Sequence, residues 1–329
     1  MESTKTKILT ALRNREGYLS GQELCQSLGI SRTAVWKCIK QLEAEGYRID
    51  AAPNRGYCLR ETPDILGESE IRSRLKTRWA GQRVEYLDQV DSTNTRAKQL
   101  AEEGAPSGTL VAAGMQTRGK GRRGRVWDSR PGNSIYMTLL LRPEISPAKA
   151  SMLTLVMGLA AVQGIRRATG ADTRIKWPND VVLNGKKLVG ILTEMNAQID
   201  YIEYVVIGVG INVNQEEFPQ ELEDKATSLR AELGEKADRA AIVAEVLGAF
   251  EKDYEIFCRT EDLSGLAEAY GEVLANTGKP VRVLEPGNEY EGVAHGIDEL
   301  GRLLVERPDG TVERVYSGEV SVRGLYSYV

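Results

Sequence analysis

The chain has 329 residues, a hydrophobic fraction of 41% and a formal net charge of −4, which is enough material for two or three domains with ordinary cores. Its single histidine, His295, excludes a multi-histidine zinc site, and a Ser-His-Asp triad would have to use this one residue. The four cysteines are scattered and form no C-x-x-C motif, which is typical of reduced residues in a cytoplasmic protein.

The charge of the chain is unevenly distributed. Residues 1–60 contain ten Lys and Arg against six Asp and Glu, whereas the remainder contains 33 against 41. A basic first segment on an acidic body predicts a small nucleic-acid-binding module attached to a larger domain.

The first sixty residues carry the signals of two short helices and a hairpin. Ser20 and Glu23 form a capping-box pattern at the start of one helix, which Gly29 ends. Ser31 can cap a second helix, and a hairpin pattern spans residues 47–59. This order predicts a winged helix-turn-helix, whose second helix enters the major groove of DNA.

The outward-facing residues of the second helix and one arginine of the hairpin are the candidate DNA contacts. They are Ser31, Arg32, Thr33, Trp36 and Lys37 on the helix, and Arg55 as a phosphate contact on the wing. The alternative is a scaffold whose polar face is merely solvated. Topology, wing and charge together favour DNA binding.

The next segment joins this module to a domain of mixed elements. Residues 61–65 are predicted to be a linker, and residues 84–87 have the pattern of a strand. Ser92 lies at the start of a helix pattern that Gly104 stops, and Thr109–Ala113 is the next predicted strand.

The stretch GKGRRGRVW, residues 119–127, matches two phosphate-binding motifs by spacing alone. The dinucleotide fingerprint needs a helix after its third glycine, and Pro131 and Gly132 rule out a sustained one. The P-loop pattern needs a hydroxyl residue for magnesium where Gly121 stands. Both matches are therefore rejected as nucleotide-fold fingerprints.

The same stretch concentrates positive charge among glycines that permit positive φ and close backbone approach. Five cations lie within eight residues: Arg118, Lys120, Arg122, Arg123 and Arg125. This composition predicts an anion-binding loop. A solvated basic loop or a second nucleic-acid contact is the alternative.

A hairpin is predicted further along the chain, after the sequence RIKWPND at residues 174–180. An Asn-Gly pair at residues 184–185 separates two apolar segments, which is the strongest short signal of a hairpin. Regular alternation places Lys187 on the face of Val189 and Ile191. A lysine there either reaches out at a sheet edge or neutralises a buried anion.

The remaining patterns complete the domain organisation. The apolar tract of residues 152–165 is interrupted by glycine and too short to span a membrane, so it predicts a core helix. Residues 204–213 predict a strand in which Gly208 and Gly210 allow close approach. Five short alternating segments predict a small SH3-like barrel, at residues 281–284, 290–293, 302–305, 312–315 and 320–323.

Five motifs occur in an order that resembles the bifunctional biotin–protein ligases that also repress the biotin operon. They are DSTN at 91–94, GKGRRGRVW at 119–127, KWPND at 176–180, KLVGIL at 187–192 and GVGIN at 208–212. The resemblance covers nearly the whole chain and implies an α+β protein. Its expected domains are a winged helix-turn-helix at 1–62, a mixed-sheet ligase domain similar to class II synthetases at 63–276, and an SH3-like domain at 277–329.

The resemblance also implies the activity. Biotin and ATP would give biotinyl-5′-AMP and pyrophosphate, with Mg²⁺ on the pyrophosphate, and a lysine of the biotin carboxyl carrier protein would then attack the mixed anhydride. Biotinyl-AMP would act as corepressor by favouring a cytoplasmic homodimer that binds operator DNA. Because two anions must meet, the first step needs charge neutralisation more than an acid or a base.

The site residues implied by the resemblance fall into three overlapping sets, with no resident metal site. The catalytic cations are Lys187, Arg122 and Arg123. The biotin contacts are these three with Ser92, Thr93, Asn94, Gln116, Thr117 and Gly121. The ATP and adenylate contacts are Arg118, Gly119, Gly121, Arg123, Trp127, Asn179 and Lys187. The family pattern has a second glutamine where Thr117 stands, so either Gln116 or Thr117 is the biotin contact.

Two other functions remain open on the sequence. A lipoate ligase shares the fold and the lysine chemistry, but the winged helix and the KWPND motif favour biotin. A DNA-binding regulator with a degenerate enzyme domain would only sense a ligand, and the intact basic loop with Lys187 argues against it.

Overall fold

The computed structural model describes residues 3–285, 287–317, 321–324 and 328. The described elements form three sheets that follow one another along the chain: a two-stranded, a seven-stranded and a five-stranded sheet.

The first sheet belongs to the N-terminal group of elements. These are α1 (Thr4–Arg13), α2 (Gly21–Leu28), α3 (Arg32–Ala44), β1 (Arg48–Ala52) and β2 (Gly56–Glu61). The predicted capping box is present, since the Ser20 hydroxyl accepts from the Glu23 N–H and the Glu23 carboxylate accepts from the Ser20 N–H. Gly29 ends α2 in the left-handed conformation, and Ser31 caps α3. Sequence reasoning missed α1, which packs between α3 and the start of the next group.

The middle group contains the large sheet and the helices that cover it. Its elements are α4 (Glu68–Arg74), β3 (Arg83–Leu87), α5 (Thr93–Glu102), β4 (Thr109–Ala113), β5 (Ser134–Leu141), α6 (Met152–Thr169), β6 (Arg174–Lys176), β7 (Asp180–Leu183), β8 (Lys186–Ala197), β9 (Ile202–Asn212), α7 (Leu229–Leu233), α8 (Arg239–Thr260) and α9 (Ala267–Val273). The strand order is β3-β4-β5-β9-β8-β7-β6. Only β3 and β4 pair in parallel, so the sheet is mixed, as expected.

The two faces of the sheet are used differently, as β9 illustrates. Val205, Ile207, Val209 and Ile211 join the main core with residues of α6 and α8. On the opposite face Tyr204 and Val206 pack against α5. The next two positions on that face, Gly208 and Gly210, carry no side chain, so the packed layer ends there and a cavity begins.

The predicted core helix is α6. It is long and apolar enough to cross a membrane by composition, but 72% of its apolar window is buried inside the protein. Its packing against α8 and the sheet is that of a core helix.

The C-terminal group is an antiparallel sheet. Its strands are β10 (Pro280–Glu285), β11 (Asn288–Ile297), β12 (Leu303–Glu306), β13 (Val312–Val315) and β14 (Ser321–Gly324), in the order β13-β12-β11-β10-β14. Five strands were expected; Val320, the first residue of the last predicted segment, lies outside the described residues. His295 is on the surface, with its Nε2 2.7 Å from Glu306 Oε2. The α+β organisation predicted from the sequence is confirmed.

The winged helix is joined to the large domain by a buried carboxylate. Glu70 of α4 is 1% exposed and accepts from Arg13 of α1 and from the Tyr47 hydroxyl. Arg74 donates to Glu70 at 2.8 Å and to Asp238, the N-cap of α8, at 2.6 Å. A buried carboxylate must be hydrogen-bonded to be tolerated, so these donors make the junction specific.

The predicted linker at residues 61–65 has no helix or strand beyond the end of β2, but it is anchored. The Asp64 carboxylate lies 3.0 Å from the Arg239 guanidinium and accepts from the Asn214 amide at 2.9 Å. Arg239 in turn donates to the carbonyl of Ser134, the first residue of β5. Polar contacts thus connect the linker to the strands of the large sheet.

A buried carboxyl between α6 and α8 makes stability depend on pH. Asp253 is 5% exposed, and its carboxylate accepts from Gln163 at 3.2 Å. Burial raises its pKa from 3.8 to about 6. The folded state therefore binds this proton more tightly than the unfolded state. The contribution of the bound proton to the free energy of unfolding is lost as pH rises from about 4 through about 6.

We expect Asp253→Asn to raise the free energy of unfolding near pH 8 by on the order of 1–3 kcal/mol, because it keeps an acceptor for Gln163 without a charge. Near pH 4 the gain should be much smaller. Urea unfolding at the two pH values measures the difference, and an equal gain at both would contradict the assignment.

Candidate active site

The floor of the cavity is built from three glycines on neighbouring strands, Gly190 of β8 and Gly208 and Gly210 of β9. We call these residues the glycine floor. Gly190 lies opposite Gly210 in the ladder. A Cβ at Gly190 would lie 2.5 Å from the Trp127 indole and one at Gly210 would lie 2.6 Å from it, while a Cβ at Gly208 would overlap the Asn94 amide. The floor therefore requires glycine, and an open cavity lies beside Trp127 and Asn94 above it.

The start of α5 forms one wall of this cavity. Both the N–H and the hydroxyl of Thr93 donate to Gln116 Oε1, at 2.9 and 3.1 Å. Gln116 Nε2 donates to the hydroxyl of Ser129, which donates in turn to the Trp127 carbonyl. Gln116 thus connects the helix start to the basic loop.

Asn94 also lines the cavity, but its amide is already bonded to the protein. Its Nδ2 donates to the Leu192 carbonyl and to Glu194, and its Oδ1 accepts from the Thr138 hydroxyl at 2.7 Å. Asn94 therefore fixes the shape of the wall around Gly208.

The basic loop at residues 119–127 folds back on itself over the cavity. The Gly121 N–H donates to the Arg125 carbonyl at 2.7 Å and the Trp127 N–H donates to the Gly119 carbonyl at 3.0 Å, with a single 3-10 turn at Arg122–Gly124. The expected absence of a long helix after the glycines is confirmed. Gly119 and Gly121 do not have positive φ, but Gly124 does. The neighbouring Arg123 also has positive φ, at 58°.

Trp127 rests on the glycine floor. Its indole Nε1 is buried and has no hydrogen-bond partner among the described residues. A buried N–H without a hydrogen-bond acceptor is energetically costly. An acceptor atom on a bound ligand could therefore stabilise this indole.

Arg122 connects the loop to two other parts of the chain. Its guanidinium donates to Asn179 Oδ1 at 3.0 Å and to the Ser317 carbonyl of the C-terminal domain at 2.6 Å. Burial lowers the pKa of Arg122, an effect that Asp180 opposes. Even so, an arginine stays charged, so Arg122 provides a partly desolvated cation at the cavity.

Lys187 lies on the cavity side of the sheet. The prediction that it shares a face with Val189 and Ile191 was therefore wrong. The register of β7 and β8 shifts between Val181 and Val182, so that Val181 pairs with Val189 but Val182 pairs with Lys187. The extra residue in β8 is a β-bulge, which redirects the side chain toward the glycine floor. Val189 remains in the core on the opposite face.

The ammonium of Lys187 forms an ion pair with a carboxylate. Its Nζ lies 2.6 Å from Asp180 Oδ1 and 5.4 Å from the centroid of the Trp127 ring. The lysine side chain is 27% exposed and the aspartate 13%, so the pair is only partly screened by water.

A second lysine and a tyrosine complete this corner, and sequence reasoning missed both as site residues. Lys176 is 5% exposed, and its Nζ lies 3.3 Å from the centroid of the Tyr328 ring. Burial lowers the pKa of Lys176 to about 8. Lys176 and Asp180 belong to the KWPND motif, which was the signal for them; no local signal marks Tyr328.

The structure brings most of the predicted ligand contacts together. The first cavity is lined by Ser92, Thr93, Asn94, Gln116, Gly121, Arg122, Trp127, Asn179 and Lys187. Lys120 also lines it; it was predicted as a cation of the basic loop but not as a contact to biotin or ATP. Arg123 lines an adjoining cleft that reaches the C-terminal domain. Thr117, Arg118 and Gly119 line neither. Of the two alternatives, Gln116 faces the cavity and Thr117 is exposed outside it.

The candidate DNA contacts lie apart from this site, on the exposed face of α3 and on the wing. Arg32, Thr33 and Lys37 are exposed, and Trp36 is 53% exposed. The Ser31 hydroxyl is used to cap α3, accepting from the Ala34 N–H at 3.2 Å. On the wing, the Arg55 guanidinium stacks 4.3 Å from the Tyr18 ring centroid, which holds it in place.

Comparison with known proteins identifies relatives over the whole chain. Residues 86–212 match the biotin/lipoate A/B protein ligase family, residues 4–58 match an HTH domain, and residues 277–323 match the biotin protein ligase C-terminal domain. The bifunctional ligase/repressor BirA of Bacillus spizizenii is 45% identical over 326 residues, covering 98% of this chain and 100% of the relative. The protein of the same name from Escherichia coli K12 is 32% identical over 317 residues, with 96% of each chain covered.

A solved structure supports the same relationship. Biotin protein ligase from Aquifex aeolicus in complex with biotin and ATP has a TM-score of 0.66 and 31% identity, covering 74% of this chain and 99% of that chain. Fold and site together define a ligase domain joined to a winged helix-turn-helix. The chain belongs to the family of bifunctional biotin–protein ligases and repressors, which confirms the resemblance seen in its motifs.

The glycine floor can be tested with one methyl group. Gly210→Ala would place a carbon 2.6 Å from the Trp127 indole. We expect the indole to leave the floor, because a loop yields more readily than a strand, at a cost of about 1–3 kcal/mol in unfolding free energy. Its emission should shift to longer wavelength.

Two controls accompany this variant. Gly248→Ala on α8, where no atom lies within 4 Å of the new carbon, should leave the emission unchanged. Trp127→Phe combined with Gly210→Ala should remove the shifted component. If the shift persists without Trp127, the indole does not rest on the floor.

Proposed function

We propose that this chain is an ATP-dependent biotin–protein ligase that also represses transcription. The biotin carboxylate attacks the α-phosphorus of ATP, forming biotinyl-5′-AMP and releasing pyrophosphate. A lysine amine of the biotin carboxyl carrier protein then attacks the carbonyl carbon of the mixed anhydride, and AMP leaves. The observation that best supports this proposal is the position of Lys187, between the glycine floor and the basic loop.

The first step joins two anions, and the site offers fixed positive charge for it. Lys187 and Arg122 line the cavity, and Arg123 lines the adjoining cleft. Cations held in place before the reaction stabilise the negative charge of the transition state without reorganising. Closure of the basic loop would also keep water from the reactive anhydride.

We propose that biotin occupies the first cavity, with Ser92, Thr93 and Gln116 at its ureido ring. Asn94 shapes the wall. The adenylate extends toward the adjoining cleft, where Asn179 reads the base and Trp127 leaves the floor to cover it. The unpartnered Nε1 of Trp127 supports such a movement.

Mg²⁺ is proposed to enter with ATP as part of the substrate. Mg²⁺ prefers phosphate and water oxygens to an all-protein cage. In the described part of the chain no group of three or more His, Cys, Asp or Glu is placed to hold a metal ion. Phosphate and water oxygens would therefore supply most of the ligands of this Mg²⁺ ion.

We propose that the adenylate is also the corepressor, favouring a cytoplasmic homodimer that binds operator DNA through α3 and the wing. Arg32 and Lys37 are exposed on α3, where they are available for DNA. All four cysteines are free, which agrees with a reducing compartment.

A lipoate ligase is the second candidate, because the matching family model includes both biotin and lipoate ligases. Pyrophosphate release with ATP, Mg²⁺ and either biotin or lipoate separates the candidates. We expect release with biotin. Release with lipoate alone would exclude the biotin assignment, and release with neither would leave a ligand sensor.

Removing the Lys187 ammonium tests the proposed chemistry. We expect Lys187→Ala to lower the rate of adenylate formation by roughly 10²–10³-fold, because a fixed positive charge is lost from the transition state. The melting temperature should change little. Lys149→Ala, which removes a surface pair with Glu261, is the control and should retain full activity. A folded Lys187→Ala variant with normal turnover would remove Lys187 from the site.

The DNA-binding surface is tested with charge variants. We expect Arg32→Ala with Lys37→Ala to weaken binding to the promoter DNA of the biotin genes from the same genome by at least tenfold, since each substitution removes a groove or phosphate contact. Ligation should be unaffected. Lys7→Ala, which removes an exposed charge from α1, serves as the control in the mobility-shift assay. Unchanged affinity in the double variant would exclude this face.

A further inference from the structure

Tyr328 brings the end of the C-terminal domain into the active site. Its hydroxyl donates to Asp180 Oδ2 at 2.6 Å, and its ring lies against the Lys176 ammonium. Burial raises the pKa of the Tyr328 hydroxyl, so it remains protonated and acts as a donor. One side chain therefore contacts both charged residues of the KWPND motif.

The other oxygen of the same carboxylate holds Lys187. Asp180 Oδ1 lies 2.6 Å from Lys187 Nζ, so a continuous chain of contacts runs from Tyr328 through Asp180 to Lys187. A lysine ammonium has three N–H donors. The contact with Asp180 Oδ1 is an ion pair without an aligned hydrogen bond, so these donors remain for a carboxylate oxygen and a phosphate oxygen.

The orientation of those donors depends on the plane of the carboxylate. The terminal torsion of an aspartate is broad, so a carboxylate bonded only through one oxygen can rotate and take its ammonium partner with it. A donor on the second oxygen restricts this rotation. The tyrosine ring faces Lys176 without neutralising it, because a π face attracts a cation and carries no charge.

We propose that Tyr328 is a positioning residue for adenylation: it fixes the Asp180 carboxylate, which in turn aims the Lys187 ammonium at the reacting carboxylate and α-phosphate. This inference rests on the proposed ligase function and adds to it a residue outside the ligase domain.

The test removes only the hydroxyl. In Tyr328→Phe we expect the single-turnover rate of biotinyl-5′-AMP formation, at saturating biotin and Mg²⁺-ATP, to fall about tenfold, because one charge-assisted hydrogen bond is lost. The KM values for biotin and ATP should stay within about twofold, because the aromatic wall is retained. Transfer from added biotinyl-5′-AMP to the carrier protein should be unchanged, since its anhydride is already formed.

A double-mutant cycle separates positioning from a general structural effect. If Tyr328 acts through Asp180, then Tyr328→Phe should cause no further loss in an Asp180→Ala background. Additive losses would overturn the proposal. Asp180→Asn, which keeps the side-chain volume, is the second background in case Asp180→Ala lowers the melting temperature.

Tyr316→Phe is the matched control. Tyr316 belongs to the same domain, is 63% exposed, and its hydroxyl accepts from Arg302 away from the cavity. Its variant should adenylate at the wild-type rate. If Tyr328→Phe also keeps the wild-type rate, or raises KM alone, Tyr328 is not a positioning residue. A wild-type protein that releases no pyrophosphate with biotin would instead refute the proposed function.

Discussion

A strip of sheet without side chains is the constraint on which the site depends. Strands normally carry a side chain on every second residue of a face, and the α5 face of β9 does so at Tyr204 and Val206. At Gly208 and Gly210, opposite Leu192 and Gly190 of β8, that layer stops. The indole of Trp127 and the amide of Asn94 occupy the space that Cβ atoms would fill. The basic loop can therefore close directly onto the sheet.

Around this floor the chain gathers cations at a cost to its own stability. Burial lowers the pKa of Arg122, and it lowers that of Lys176 to about 8, so both groups are partly deprived of water. Asp180 pairs with Lys187 and lies near Lys176 and Arg122. Such an excess of positive charge is unfavourable in an empty site and becomes favourable once a polyanion enters. This is the arrangement expected of a site for a carboxylate and a triphosphate.

Directional polar contacts join the three parts of the molecule. Glu70 holds the winged helix, and the Trp177 indole donates to the Gly301 carbonyl of the C-terminal domain at 3.0 Å. Arg122 reaches the Ser317 carbonyl, so the basic loop itself contacts the third domain.

Local patterns in the sequence determined most of the elements, and the order of five motifs indicated the composition of the site through the family resemblance. The capping residues Ser20 and Ser31 and the Asn-Gly turn at 184–185 act within a few residues of themselves, so their effect can be read from the sequence. Only the tertiary structure decided where Lys187 points, because a β-bulge depends on the register between two strands. It alone also decided that Tyr328 meets Asp180, 148 residues away, and that Glu70 receives Arg13 and Tyr47. Contacts of this range follow from how whole domains pack, and no local pattern encodes them.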